Sequence, residues 1–211
     1  MHVETFHLGA FETNAYLLRN DDCKECLLLD VAGNPQPILN AMETHRLGPA
    51  ALILTHAHAD HMMGLPALRK VFPEMKLYAA RAEMPLLASP TRNLSLMFFK
   101  PLRIKEVDRE LEQGDRVSLG DIDLRVIETP GHTPGGICLY DEAGGNLFSG
   151  DTLFAGGIGR CDLPGGDMDT LIQSIRTQLL PLPDATIVYP GHGPATTIGR
   201  ERRENPYLCD G

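Results

Sequence analysis

Short apolar runs bounded by turn residues dominate both halves of the chain, with stretches of helical spacing between them. In the first half, residues 15–18 and 26–29 read as strands around the polar turn Asn20-Asp21-Asp22. Gly33-Asn34-Pro35 then opens a helix running to about His45. Residues 50–54 read as a buried strand, 65–71 as a helix, 76–79 as a strand, and 81–87 as a helix that ends before Pro90. In the second half, 115–119 and 122–127 flank the hairpin signal Gly120-Asp121, and 137–140 and 146–148 flank a turn containing Gly144-Gly145. Residues 169–180 have helical spacing, and 186–189 form a final strand. Strands outnumber helices, yet helices are spread along the chain, which predicts an α/β fold of sheets covered by helices over an all-β barrel. Residues 90–105, with Met97-Phe98-Phe99 among polar neighbours, fit no simple period. A lid over a site and an irregular packed connection both suit that stretch, and we expect the second.

Composition narrows the partners. A length of 211 residues suits one compact domain. No apolar run approaches the roughly 18 residues of a membrane-spanning helix, and the N-terminal residues lack a basic region followed by an apolar one, so neither membrane insertion nor export is expected. With 19 Lys+Arg against 28 Asp+Glu the net charge is -9, which disfavours nucleic acid as a partner because phosphate binding needs clustered positive charge. Five cysteines in a chain this long do not form a disulfide framework, and a reducing cytoplasm fits them best. Cys23 and Cys26 have the spacing of half a zinc knuckle, but no matching pair follows nearby, so we read them as incidental thiols.

The chemistry sits where apolar strands end. Residues 51–54 lead into Thr55-His56-Ala57-His58-Ala59-Asp60-His61, 124–127 into Glu128-Thr129-Pro130-Gly131-His132, 146–148 into Ser149-Gly150-Asp151, and 186–189 into Pro190-Gly191-His192. Side chains at i and i+2 of an extended segment point to one side, so His56 and His58 suit one cation, while Asp60 and His61, displaced by a turn, suit a second. A lone His132 or His192 would read as a packed or surface histidine and a lone Asp151 as a turn residue. Together with the first four they make a metal site the economical reading, since burying so many imidazoles and carboxylates without a cation is costly. Nitrogen and oxygen donors without thiolate suit zinc first, with iron and manganese accepting similar sets.

Thr55-His56-Ala57-His58-Ala59-Asp60-His61 resembles the His-x-His-x-Asp-His signature of the metallo-β-lactamase fold superfamily, and His132, Asp151 and His192 extend the likeness along most of the chain. Within it, Pro130-Gly131-His132-Thr133-Pro134-Gly135, the stretch from Gly159-Arg160-Cys161-Asp162 to Gly166-Asp167, and Pro190-Gly191-His192-Gly193-Pro194 are similar to the short single-domain members of the glyoxalase II (hydroxyacylglutathione hydrolase) branch. The resemblance implies a four-layer αβ/βα sandwich over residues 1–211, with the metal site at one edge. It implies two divalent cations, one on His56, His58 and His132 and one on Asp60, His61 and His192, with Asp151 bridging. It implies hydrolysis of a small-molecule thioester or ester, such as an S-acylglutathione, by a metal-bridging hydroxide that Asp60 orients.

An aspartate at 151, where a β-lactamase commonly has a cysteine, argues against penicillin hydrolysis. Glyoxalase II relatives with a helical C-terminal region use it to hold glutathione, whereas nineteen residues follow His192 here (211 - 192), room for one short helix carrying Arg200, Arg202 and Arg203. That cluster is expected to be a solvated face, and Arg160 with Asp162 to form a mutual salt bridge bracing the metal loop. Competing readings are an iron-dependent persulfide dioxygenase-like enzyme using His56, His132 and Asp151, a phosphodiesterase, and a noncatalytic metal-binding module.

Overall fold

The computed structural model describes residues 1–98 and 100–209. Phe99, one of the residues in the unassigned 90–105 stretch, lies outside them, as do Asp210 and Gly211. The first half of the chain builds a six-stranded sheet in simple sequence order: β1 (His2–Leu8), β2 (Thr13–Arg19), β3 (Glu25–Leu29), β4 (Gly48–Ile53), β5 (Lys76–Ala80) and β6 (Arg109–Leu111). The second half supplies β7 (Arg116–Leu119), β8 (Ile122–Glu128), β9 (Ile137–Asp141), β10 (Asn146–Gly150), the small ribbon β11 (Leu153–Phe154) with β12 (Gly157–Ile158), then β13 (Ile187–Pro190) and β14 (Thr196–Thr197). Its main sheet has the order β14-β13-β10-β9-β8-β7.

Parallel neighbours need crossovers, and the helices provide them. Helix α1 (Gln36–His45) joins β3 to β4, and α2 (Leu65–Val71) joins β4 to β5. The short helices α3 (Met84–Leu87) and α4 (Ser95–Phe98) lie between β5 and β6. Helix α5 (Met168–Ser174), prolonged by one wider π turn over Ile175–Leu179, connects β10 to its parallel neighbour β13. Helix α6 (Ile198–Glu204) follows β14.

Alternation along the strands explains why the two sheets face each other and why helices cover both outer faces. On β2, Tyr16 and Leu18 enter the core between the sheets, while Ala15 and Leu17 enter the one under the first helical layer. On β3, Leu27 and Leu29 point inward and Cys26 and Leu28 outward, where they meet Ile38 and Met42 of α1 and Leu65 and Leu68 of α2. β9 repeats the rule: Ile137 and Leu139 meet the first sheet, and Cys138 and Tyr140 meet Leu171, Ile175 and Leu179. Strands apolar on both faces must be covered on both, and the result is the four-layer αβ/βα sandwich. Phe148 anchors its centre, fully buried, with ring centroids 5.1 Å from Tyr189 and 5.3 Å from Tyr16.

Several elements escape the apolar pattern. β1 pairs with β2 along its whole length, from His2 opposite Arg19 to Leu8 opposite Thr13, yet it is an edge strand with only Leu8 fully buried, so its sequence carries no apolar run. β6 is three residues long, and Ser95–Phe98 is a single helical turn inside the stretch expected to be irregular. Among the described residues, no helix is long and apolar enough to cross a membrane.

Candidate metal centre

Four strands from the two sheets end at one edge of the sandwich, and their continuations meet. β4 runs into His56 and His58 in extended backbone, after which a 3₁₀ turn over Ala59–His61 swings Asp60 and His61 to the other side of the group. β8 leads to His132, β10 to Asp151, and β13 to His192. All seven residues named from the sequence therefore come together, and they form three overlapping groups: His56, His58 and His132; His56, His61 and Asp151; and Asp60, His61 and His192. Within each group the donor atoms lie within 4.8 Å of one another.

The spacings suit coordination. His58 Nδ1 lies 2.9 Å from His132 Nε2, which is 3.3 Å from His56 Nε2. On the other side, His192 Nε2 is 3.4 Å from His61 Nε2 and 3.2 Å from Asp60 Oδ2. The Asp151 carboxylate reaches both clusters, with Oδ1 3.3 Å from His61 Nε2 and Oδ2 3.6 Å from both His132 Nε2 and His192 Nε2. Donors on a tetrahedral cation with bonds of about 2.0–2.1 Å stand about 3.3 Å apart, the edge of the tetrahedron.

Hydrogen bonds on the far side of the rings decide what those nitrogens present. His132 Nδ1 donates to the Arg160 carbonyl at 2.7 Å and His192 Nδ1 to the Phe11 carbonyl at 3.0 Å, while His61 Nδ1 donates to Asp30 Oδ2 at 2.8 Å. With its proton on Nδ1, each neutral ring turns a bare Nε2 lone pair toward the centre. Converging lone pairs repel unless a cation lies among them. Asp151 Oδ1, which faces His61 Nε2, is buried without a hydrogen-bond partner among the described residues, a further cost that coordination would offset. The donor set and its geometry fit divalent cations.

Electrostatics divide the histidines in two. Burial, reinforced by neighbouring imidazoles, holds His56 well below its ordinary pKa and brings His58 down to about 3, so both rings are neutral. Burial also opposes charge on His61 and His192, but it is outweighed there: Asp151, Asp30 and Asp60 raise His61 well above 6.5, and Asp60 and Asp151 raise His192. Burial works against ionisation of Asp60 and Asp151 too, yet His61 and the other histidines hold both carboxylates below their usual range. A cation at this edge therefore competes with protons for His61 and His192.

Residues beyond the seven hold the loops in place. Asp30, 2% exposed, accepts from Thr55 N at 2.8 Å and Thr55 Oγ1 at 2.7 Å as well as from His61. Glu83, 1% exposed, accepts from Ala57 N and Gly135 N, both at 2.7 Å, and so joins the His56–His58 segment to the His132 loop. Asn14 Nδ2 donates to the carbonyls of Pro190 and Gly193, and Tyr16 Oη to that of Pro190, tying the His192 loop to the first sheet. Asp30 ends the apolar run Leu27-Leu28-Leu29 just as the ligand-bearing residues end theirs, a signal present in the sequence. Glu83 lies inside a helical pattern and carries no such mark. Gly191 is required by crowding, since a Cβ there would meet Asp151 Oδ1 and come within 2.8 Å of His61 Cε1.

Among the described residues, the side chains of the remaining sequence candidates add no donor to the cluster. Arg160 and Asp162 form a two-pronged exposed salt bridge, 2.7 Å on each prong, beside an open cleft of about 490 Å³ lined also by Cys161, Met168 and Tyr207. On α6, Arg200 pairs with Glu204 at 3.2 Å, and Arg202 and Arg203 face Asp184, so this basic cluster is engaged on the surface. Cys26 is packed in the outer core, where burial pushes its thiol up to about 12, and neither it nor Cys23 joins a metal-binding group among the described residues. His2, His7 and His45 pair with Asp21, Asn14 and Glu4, away from the seven.

Residues 8–192 match the profile of the Metallo-beta-lactamase superfamily. The chain is 35% identical over 214 residues to the hydroxyacylglutathione hydrolase GloC of Haemophilus influenzae, the match covering 99% of this chain and 98% of that protein. Among solved structures, BLEG-1 B3 metallo-beta-lactamase is 39% identical with a TM-score of 0.92, covering 99% of this chain and 100% of its own. TTHA1623 in a di-iron-bound form is 37% identical with a TM-score of 0.86, covering 98% and 100% respectively.

Proposed function

This chain belongs to the metallo-β-lactamase superfamily and is a metal-dependent hydrolase of that group; from that premise we propose that it cleaves small-molecule thioesters such as an S-acylglutathione. The observation that carries the reading is the seven-donor centre together with 35% identity, over nearly the whole length, to a relative named as a hydroxyacylglutathione hydrolase.

His56, His58 and His132 would hold one divalent cation, and Asp60, His61 and His192 a second, with Asp151 facing both. When bound, such cations act as Lewis acids that polarise a carbonyl and lower the pKa of water. The protein's own groups supply the rest. Asp30 and the carbonyls of Arg160 and Phe11 keep protons on the Nδ1 atoms of His61, His132 and His192, so that Nε2 is the donor in each ring. Asp60, whose side chain is 20% exposed and whose Oδ2 lies 3.4 Å from Thr13 Oγ1, orients the attacking water by accepting its hydrogen bond. A thiolate leaving group with a thiol pKa of about 8.5 departs without a dedicated general acid. This suits a centre whose histidines are committed as donors. No serine or cysteine nucleophile is needed.

Zinc is the first assignment from the donor set, and iron is the second, supported by the likeness to TTHA1623 in its di-iron form. A second reading, β-lactam hydrolysis, rests on the 39% identity to BLEG-1 and runs against the argument from Asp151. The deciding experiment is metal analysis of freshly purified protein beside three assays: S-lactoylglutathione hydrolysis, hydrolysis of a chromogenic cephalosporin, and oxygen uptake with glutathione persulfide. Thioester turnover that chelation abolishes and metal restores, and that His58→Ala and Asp151→Ala each lose, supports the proposal. Full turnover by the stripped protein, or turnover confined to the cephalosporin or the persulfide, overturns it.

A further inference from the structure

Exposed apolar side chains gather beside the metal centre. Phe11 is 50% exposed, and Leu96, Met97 and Phe98 on α4 are 57%, 69% and 57% exposed. They reach the site through Phe11: its carbonyl accepts the His192 Nδ1 proton, and its ring packs edge-on against Phe98 with centroids 6.1 Å apart. The turn carrying α4 is fixed to the metal loop, because the Asn93 carbonyl accepts from Ala59 N at 2.9 Å, one residue before Asp60.

That turn is braced from within. Fully buried Asn93 caps it through Oδ1, which accepts from Ser95 N at 3.0 Å, and crosses to the Leu102 carbonyl through Nδ2 at 3.0 Å. Ser95 Oγ accepts from Leu102 N at 2.9 Å. A rigid base therefore presents a greasy tip to solvent, and a patch of this kind marks a surface that binds something apolar. The charge beside it has one sign. Arg92 and Lys100 flank α4, Arg103 and Lys105 follow, and no carboxylate intervenes between Glu83 and Glu106, in a chain of net charge -9. Among the described residues these four cations form no ion pair, unlike the arginines of α6.

We infer that Phe11, Leu96, Met97 and Phe98, with Arg92 and Lys100 beside them, form the substrate-recognition wall, and that it selects an amphipathic thioester: an apolar acyl chain on the α4 tip, an anionic thiol carrier on the cations. Apolar side chains at a site's mouth discriminate by chain length, and unpaired cations at its rim by the charge of the carrier. The inference rests on the thioesterase reading and names the substrate class within it.

The test is a series of acyl-coenzyme A and acyl-N-acetylcysteamine thioesters from two to ten acyl carbons, assayed on the metal-loaded protein. In the parent, kcat/KM rises about two- to fourfold per methylene until the wall is filled. In the double variant Leu96→Ser/Met97→Ser the slope of log kcat/KM against chain length falls by half or more. In Arg92→Glu/Lys100→Glu the preference for the anionic carrier over the neutral one falls about tenfold at low salt. A parent without a chain-length slope, or a slope unchanged in the apolar variant, overturns the inference while leaving the thioesterase reading intact. A dimer that the apolar variant splits with the slope unchanged assigns the patch to a second copy of the chain and also overturns it. No turnover of any thioester overturns both readings.

Discussion

Replacing Asp30 by Asn probes how the fold dictates which nitrogen His61 offers. Asp30 Oδ1 accepts from Thr55 N, and Oδ2 accepts from both Thr55 Oγ1 and His61 Nδ1. Asparagine keeps the shape but has one acceptor oxygen, so it must choose. With its oxygen toward Thr55 N, its NH₂ faces the His61 Nδ1 proton; the ring escapes by moving that proton to Nε2, the atom aimed at the cluster. Loss of that partner is expected to cost about 10–100-fold in metal affinity, or about 1.4–2.7 kcal/mol. With its oxygen toward His61, the NH₂ faces a buried Thr55 N–H, and an orphaned donor costs about 1–3 kcal/mol of folding stability. In a chain of this size that lowers Tm by about 2–12 °C. Competition with a chromophoric chelator reads the first outcome and thermal unfolding of the metal-loaded protein the second. An Asp30→Asn variant with metal affinities within twofold of the parent and an unchanged Tm would refute the assignment of Asp30 as the residue that sets the His61 tautomer.

The metal-free chain is expected to be most stable near pH 6.5: His56 and His58, whose pKa values burial lowers, contribute stability above their unfolded value that is lost as pH falls, and raised His61 and His192 contribute stability below it that is lost as pH rises. Thermal unfolding in chelator from pH 4.5 to 9 checks this, and a Tm that only climbs with pH would sink it. Gly191→Ala, whose methyl would meet Asp151 Oδ1 and crowd His61, is expected to lower bound metal and to cut turnover at least about 100-fold with the fold retained; parent-like metal content would count against the crowding. Phe148→Ala, far from solvent between Tyr16 and Tyr189, is expected to destabilise by about 3–5 kcal/mol in urea unfolding.

The order of legibility along the chain has a physical cause. The β2, β3 and β9 strands were readable because they are buried on both faces, and such burial writes an apolar run into the sequence, while β8 was readable from its alternation, Ile122, Leu124 and Val126 in the core and Asp123 and Arg125 on the more open face. Edge strand β1 and the single turn of α4 are held by pairing and by the Asn93 and Ser95 braces instead, so no run marks them. Asp30 shares the strand-end pattern of the seven donors and could have been singled out. Glu83, buried between Ala57 and Gly135, could not, because its partners are backbone groups 26 and 52 residues away with no side-chain identity to read.

What the sequence determined by itself was local: residue types at spacings that extended or tightly turned backbone converts into facing donors, and apolar alternation that requires two covered sheets. The identity of the donors follows from those short-range rules. Only the tertiary structure decided that β4 of one sheet and β8, β10 and β13 of the other end at one edge, that the Phe11 and Arg160 carbonyls hold the outer ring protons, and that the α4 tip stands beside His192. Each of these depends on which strands pair and how the layers stack. Such long-range contacts are selected by the free energy of the whole packed core, and no short window of sequence encodes them.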